Sequence, residues 1–136
     1  MVAGSCHVKQ QQVIVVTHAY GEAYVGVRYF PKSHLKVYYI PQWIVAAQAA
    51  LPTLYTLMPH YIKIWQDERI QIVHGHQASS TMANAAMLHA RTAGLKTCFT
   101  DHSLFAFGDM GSIANNKVFR FCTTGIDQMI AVSDAG

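Results

Sequence analysis

Four β-branched apolar residues in a row, Val13 to Val16, closed by Thr17 (VIVVT), constrain this chain more than any other stretch. The run is too short for a helix, so it reads as a strand buried on both faces, the kind that parallel sheets use. Parallel strands need crossovers of a dozen or more residues between them, and the sequence supplies such spacings. Leu35 to Ile40 (LKVYYI) reads as a second strand, stopped by Pro41. Ile70 to His74, Lys96 to Thr100 and Gln128 to Val132 read as three more.

The intervals between these strands carry helical periodicity. Leu54, Leu57, Met58, Tyr61, Ile62 and Trp65 recur at three and four residues, with Pro52 and Pro59 limiting where that helix starts. Ser79 or Ser80 is placed to cap a helix running to Ala93, and Gly94 to end it. Ser112 is placed to cap a further helix with an apolar stripe of Ala114, Val118, Phe121 and Cys122. Strands separated by helices give βαβ units, hence an α/β fold with a Rossmann-like parallel sheet.

Composition narrows the function classes. Half the residues (51%) are apolar and 12% are charged, so the surface is dry and needs cover from a second domain, a partner or a membrane. The net charge of +3 comes from ten Lys and Arg with no basic run, which gives nucleic-acid binding no support. Mild attraction to anionic lipid is compatible with that charge. The apolar tract from Trp43 to Trp65 is interrupted by Gln48, Pro52, Pro59, His60 and Lys63, and makes a poor membrane-spanning helix. The opening MVAGSCHVKQQQ has no apolar signal core. Cys6, Cys98 and Cys122 share no CxxC spacing and read as reduced thiols.

Ligands of open parallel sheets collect at the carboxyl ends of the strands, and the polar residues of interest lie there. His18 follows the first strand, His74 and His76 end the third, and Asp101, His102 and Ser103 follow the fourth. In extended chain, residues two apart share a face, so His74 and His76 point to the same side with Gly75 keeping the backbone open between them. One reading is a metal site completed by His102 or Asp101. No further zinc signature follows, and no metal is assigned. The other makes one histidine a hydrogen-bonding residue of the sheet edge and turns its neighbour to a cleft. Asp101 beside His102 invites an acid/base dyad, but adjacent side chains diverge, which favours His102 as a polar substrate contact. His89, in mid-helix, reads as a surface residue. GxSxG, GxGxxG and P-loop motifs are absent.

Several stretches together resemble one family. VIVVTHAYG (13–21), GVRYF (26–30), LKVYYIP (35–41) and IVHGHQASSTMANAAMLHARTAGLKTCFTDHSLFAFGD (72–109) are similar to the catalytic subunits of phosphatidylinositol N-acetylglucosaminyltransferase, as are NNKVF (115–119) and IAVS (130–133). The resemblance implies a GT-B enzyme of two Rossmann-like domains facing a cleft. It transfers N-acetylglucosamine with retention from UDP-N-acetylglucosamine to phosphatidylinositol, the first step of GPI-anchor biosynthesis. No metal or other cofactor is expected. The expected place is the cytoplasmic face of the endoplasmic reticulum membrane, within a complex of further subunits. By position, His102 corresponds to a loop histidine near the sugar and acceptor, and His76 to a second cleft histidine. Asp101 and Ser103 are expected to shape the loop, with His18 beside it.

Against that pattern, residues 1–12 read as a divergent segment and 13–136 as an incomplete N-terminal, acceptor-side domain. The family's first strand and glycine-rich loop, placed between the partners of 13–17 and 70–74, have no counterpart in this sequence. Nor does the domain that holds most of the UDP-N-acetylglucosamine site. The isolated chain is therefore expected to be inactive. The alternative is a short non-catalytic module that docks on the transferase complex. An unrelated metal-dependent hydrolase using His74, His76 and His102 is the third reading.

Overall fold

The computed structural model describes residues 12–21, 24–42, 44–46, 49–50, 55–102 and 110–132. The chain divides into two compact units, Met1–Pro41 and Gln42–Gly136.

In the first unit, β1 (Ile14–His18), β2 (Gly26–Phe30) and β3 (Leu35–Ile40) form a sheet in the order β1-β3-β2. β1 runs parallel to β3, as the sequence predicts, with Ile14 opposite Lys36 and His18 opposite Ile40. β2 is a strand that periodicity does not reveal, and it pairs antiparallel to β3. The turn between them, residues 31–34, contains Pro31, and His34 adopts a left-handed φ of 50°. β3 takes the central place and carries two buried residues, Val37 and Ile40; Ala19, just after β1, is the third among the described residues of this unit. β1 is less covered than expected: Val15 is 38% exposed, because β1 is an outer strand here.

The second unit opens with a short antiparallel pair, β4 (Ile44–Ala46) and β5 (Ala49–Ala50), where the sequence shows only an apolar tract. Helix α1 (Met58–Asp67) follows, with Pro59 in its first turn, where a missing N–H costs nothing. Its inward face is Leu57, Tyr61, Ile64 and Trp65. The Tyr61 hydroxyl donates to the Met82 carbonyl at 3.0 Å, and its ring stacks on Trp65. Among the described residues no helix is long and apolar enough to cross a membrane.

The remaining elements make an α/β layer. β6 (Ile72–His76), β7 (Lys96–Asp101) and β8 (Gln128–Ala131) form a parallel sheet in that order. β6 begins two residues later than the sequence suggests, because the Ile70 N–H donates instead to the Trp65 carbonyl and closes α1. Helix α2 (Thr81–Thr92) connects β6 to β7. Its cap is Ser80, whose hydroxyl accepts from the Ala83 N–H, and Gly94 ends it at φ 75°. Helix α3 (Met110–Thr123) starts before Ser112, so that serine lies inside the helix and is not its cap. The α3 stripe also differs: Phe119 and Cys122 are buried while Phe121 is exposed, since the face turned to the sheet is set by Phe99.

Phe99, Phe119, Met87 and Ala78 form the core of this layer, with Val73, Ala83 and Ile126 against it. Burying each of the larger side chains contributes about 1.5–3 kcal/mol. His89, expected at the surface, is buried in α2 within 6.3 Å of the Tyr61 ring centre. At the amino ends of the strands, Asp127 ties β8 to β7. Its carboxylate accepts from the Lys96 Nζ at 2.7 Å and from both the N–H and hydroxyl of Thr97 at 2.9 Å. The Asp127 N–H returns a hydrogen bond to the Thr97 hydroxyl. These contacts fix the strand register at the end of the sheet opposite the histidines.

Candidate functional site

The β6–β7 register determines which polar side chains meet. His74 lies opposite Cys98 and His76 opposite Thr100, so all four share one face of the sheet. Gly75 lies opposite Phe99 on the other face and is buried. This glycine is expected from the sequence to open the backbone between two histidines. Its observed role is packing: a Cβ here would come within 2.8 and 3.0 Å of two Phe99 ring carbons.

On the polar face three imidazoles stand in a row at the carboxyl ends of β6 and β7. The His74 and His76 ring centres are 4.2 Å apart, and those of His76 and His102 are 5.6 Å apart and nearly parallel. His76 Nδ1 and His102 Nε2 share a hydrogen bond of 3.3 Å. Such a bond needs one ring to donate and the other to accept, so it cannot form between two imidazolium cations. His74 Nε2 bonds the Thr100 hydroxyl at 2.8 Å. Partial burial, and then the charge His76 can carry, hold the His74 pKa below its ordinary 6.5. The Thr100 bond orients His74, and all three imidazoles are exposed.

The loop after β6 is set by backbone bonds. Gln77 takes a left-handed φ of 68°, its N–H donates to the Thr100 carbonyl, and its own carbonyl accepts from Ser80. This turn places the start of α2 just beyond the row. Asp101 ends β7, half-buried and opposite Ala131. Ser103 lies outside the described residues. His18 ends β1 in the first unit, half-buried, its ring 4.6 Å from that of Tyr20. Among the described residues no three His, Cys, Asp or Glu side chains converge as metal ligands would. Hydrogen-bond donation and acceptance is what the row offers.

Sequence reasoning brings His74, His76 and His102 to one end of the sheet but misses Thr100. The β6–β7 register supplies the signal: Thr100 is two residues from Cys98 and shares the histidine face.

The PIGA (GPI anchor biosynthesis) family pattern matches residues 18–109. The chain belongs to this family. The matched span holds His18, His74, His76, Asp101, His102 and Ser103. Among similar proteins, a phosphatidylinositol N-acetylglucosaminyltransferase subunit of Arabidopsis thaliana is 50% identical over 122 residues, which is 90% of this chain and 27% of that protein. The gpi3 subunit of the same transferase in Schizosaccharomyces pombe is 48% identical over 122 residues, 90% of this chain and 26% of its own length. The corresponding subunit of Homo sapiens is 43% identical, again over 90% of this chain and 25% of the human protein. The chain thus spans about a quarter of the length of these relatives.

Proposed function

We propose that this chain is the acceptor-side part of a glycosyltransferase that moves N-acetylglucosamine from UDP-N-acetylglucosamine to phosphatidylinositol, opening GPI-anchor synthesis. The observation that carries the reading is 43–50% identity, over 122 residues, to proteins named for that transfer in a plant, a yeast and a human. A GT-B architecture with the nucleotide-sugar site in a second domain belongs to the same proposal. So do a place on the cytoplasmic face of the endoplasmic reticulum membrane and assembly with further subunits, in keeping with the word subunit in the relatives' names.

The imidazole row fits the acceptor side of such a reaction. His102, exposed and held by His76, is the residue we assign to the reacting centre, where it donates a hydrogen bond to the departing phosphate oxygen, which gains negative charge as the sugar–phosphate bond breaks and the bond to the inositol oxygen forms. His76 sets the orientation of His102. His74, bonded to Thr100, sets that of His76 through ring contact. Asp101 and Ser103 shape the loop that carries His102, and His18 is assigned to acceptor binding in this proposal. No metal or cofactor is required of these residues.

The test is a chimera in which this segment replaces its counterpart in the fission-yeast gpi3 protein, assayed in membranes for N-acetylglucosamine transfer to phosphatidylinositol. The chimera is expected to be active. His102→Ala within it is expected to lower kcat about 10²-fold, the usual cost of removing one such donor, whereas Lys117→Ala, at an exposed site on α3, leaves it intact. An assembled but inactive chimera defeats the functional reading. Equal rates for the two variants defeat the assignment of His102.

A further inference from the structure

The β2–β3 hairpin of the first unit combines exposed aromatic side chains with positive charge. Every residue of β2 is exposed. Tyr29 is 58% exposed, Val27 52% and Phe30 44%, and they lead into a turn that carries Pro31 and the exposed Lys32. Facing residues in the ladder assign Val27 and Tyr29 to one face with Lys36, and Arg28 and Phe30 to the other. The Arg28 guanidinium lies over the rings of Tyr24 and Tyr39, 4.9 and 5.4 Å from their centres, and the Lys36 ammonium over Tyr38 at 5.2 Å. In the sequence of this unit, Lys9, Arg28, Lys32 and Lys36 stand against a single acidic residue, Glu22. An open depression of about 680 Å³ at the turn end has Tyr29, His34 and Lys36 in its walls.

Water alone gives no reason to leave Tyr29, Phe30 and Val27 together on a strand edge. Aromatic rings with a polar tip, beside lysine and arginine, are the side chains that settle at the level of lipid headgroups. A unit with four Lys and Arg and one carboxylate complements a negatively charged leaflet. It gives no comparable match to a mixed-charge protein surface. We propose that the β2–β3 hairpin docks on the surface of an anionic phospholipid bilayer. Tyr29 and Phe30 enter the headgroup layer, Arg28, Lys32 and Lys36 meet lipid phosphates, and the depression beside Tyr29 receives one headgroup. The hairpin's own residues carry this, independently of the histidine row.

The experiment is flotation of the 136-residue chain with vesicles of phosphatidylcholine alone or with phosphatidylserine added. Neither contains phosphatidylinositol or nucleotide sugar, so the result is separate from any transferase assay. The chain is expected to float with the anionic vesicles, less with neutral ones, and progressively less as salt is raised. Lys32→Gln, in an exposed turn where folding is not at stake, is expected to lower partitioning about fivefold. Arg28→Gln with Lys32→Gln is expected to lower it about 25-fold, and Tyr29→Ser to weaken binding at every salt concentration. Equal flotation with neutral and anionic vesicles overturns the proposal, as does equal flotation of parent, Lys32→Gln and Tyr29→Ser. Sedimentation equilibrium on the same proteins tests the other occupant. A dimer that Tyr29→Ser dissociates, with vesicle binding unchanged, assigns the hairpin to a second copy of the chain and overturns membrane docking.

Discussion

Replacing Gly75 by alanine adds one methyl group to the strand that carries His74 and His76, on the opposite face. That methyl would lie 2.8 and 3.0 Å from two carbons of the Phe99 ring and 3.3 Å from the Met87 methyl. Carbon pairs are comfortable at about 3.5–4.0 Å, so the ring must retreat by a good part of an ångström. It has little room to do so. Phe99 and Met87 are fully buried, and the Phe99 ring is held at 5.1 Å from that of Phe119. Overpacking of this sort costs about 1–3 kcal/mol. Against it, alanine restricts the unfolded chain and returns about 0.4–1 kcal/mol. The net expectation is destabilisation by about 1–2 kcal/mol.

Urea unfolding followed by circular dichroism measures this as a lower midpoint at unchanged slope. The mechanism is then separated from a general intolerance of β6 by shrinking the obstacle. Phe99→Leu alone leaves space and is destabilising in its own right. Combined with Gly75→Ala it should accommodate the new methyl, so the double variant is expected to be more stable than the sum of the single losses by about 1 kcal/mol. A Gly75→Ala protein as stable as the parent would refute the packing argument. Strict additivity in the cycle would refute it equally, because it would mean the methyl and the ring do not meet.

Two titrations test the electrostatics. Hydrogen bonds from Lys96 and then Thr97 hold the Asp127 carboxyl at about 2, below its ordinary 3.8. The native chain therefore binds this proton less readily than the unfolded chain. The stabilisation is complete above pH 3.8 and is lost as pH falls toward 2. Asp127→Asn should lower the urea midpoint at neutral pH and flatten its decline across that window; parallel declines in parent and variant would remove the effect. His74 should titrate by NMR below 6.5, with native stability falling as pH drops from that value, since the unfolded chain takes the proton first. His76→Ala should raise the His74 midpoint only part of the way, because burial is the larger cause and remains; an ordinary midpoint in the parent would contradict the geometry.

Much of the fold was legible because its signals are local. The β-branched run at 13–17, the Ser80 cap and Gly94 at the end of α2 each follow from one residue's own conformational preferences. What escaped depends on pairing. β2 shows little inward-outward alternation because both its faces are exposed, so periodicity has nothing to register. His89 reads as a surface residue until Tyr61 and Tyr55 are brought over it by the packing of α1 on α2. Phe121 and Phe119 are equally apolar in sequence, and only the position of Phe99 decides which one turns inward.

The same dependence on pairing joins the core to the candidate site. β6 is a strand with two different faces: Val73 and Gly75 turn to Phe99 and Met87, and His74 and His76 turn to Thr100 and His102. Side chains alternate with a period of two, so a slip of one residue between β6 and β7 would exchange these sets. Two bulky imidazoles would then face a core that has no room for one methyl group. The close approach of Phe99 to Gly75 therefore does more than fill space. It excludes the one-residue slip, which would turn His74 and His76 toward the core and part His76 from His102. The glycine between His74 and His76 thus holds the polar row by its packing on the opposite face.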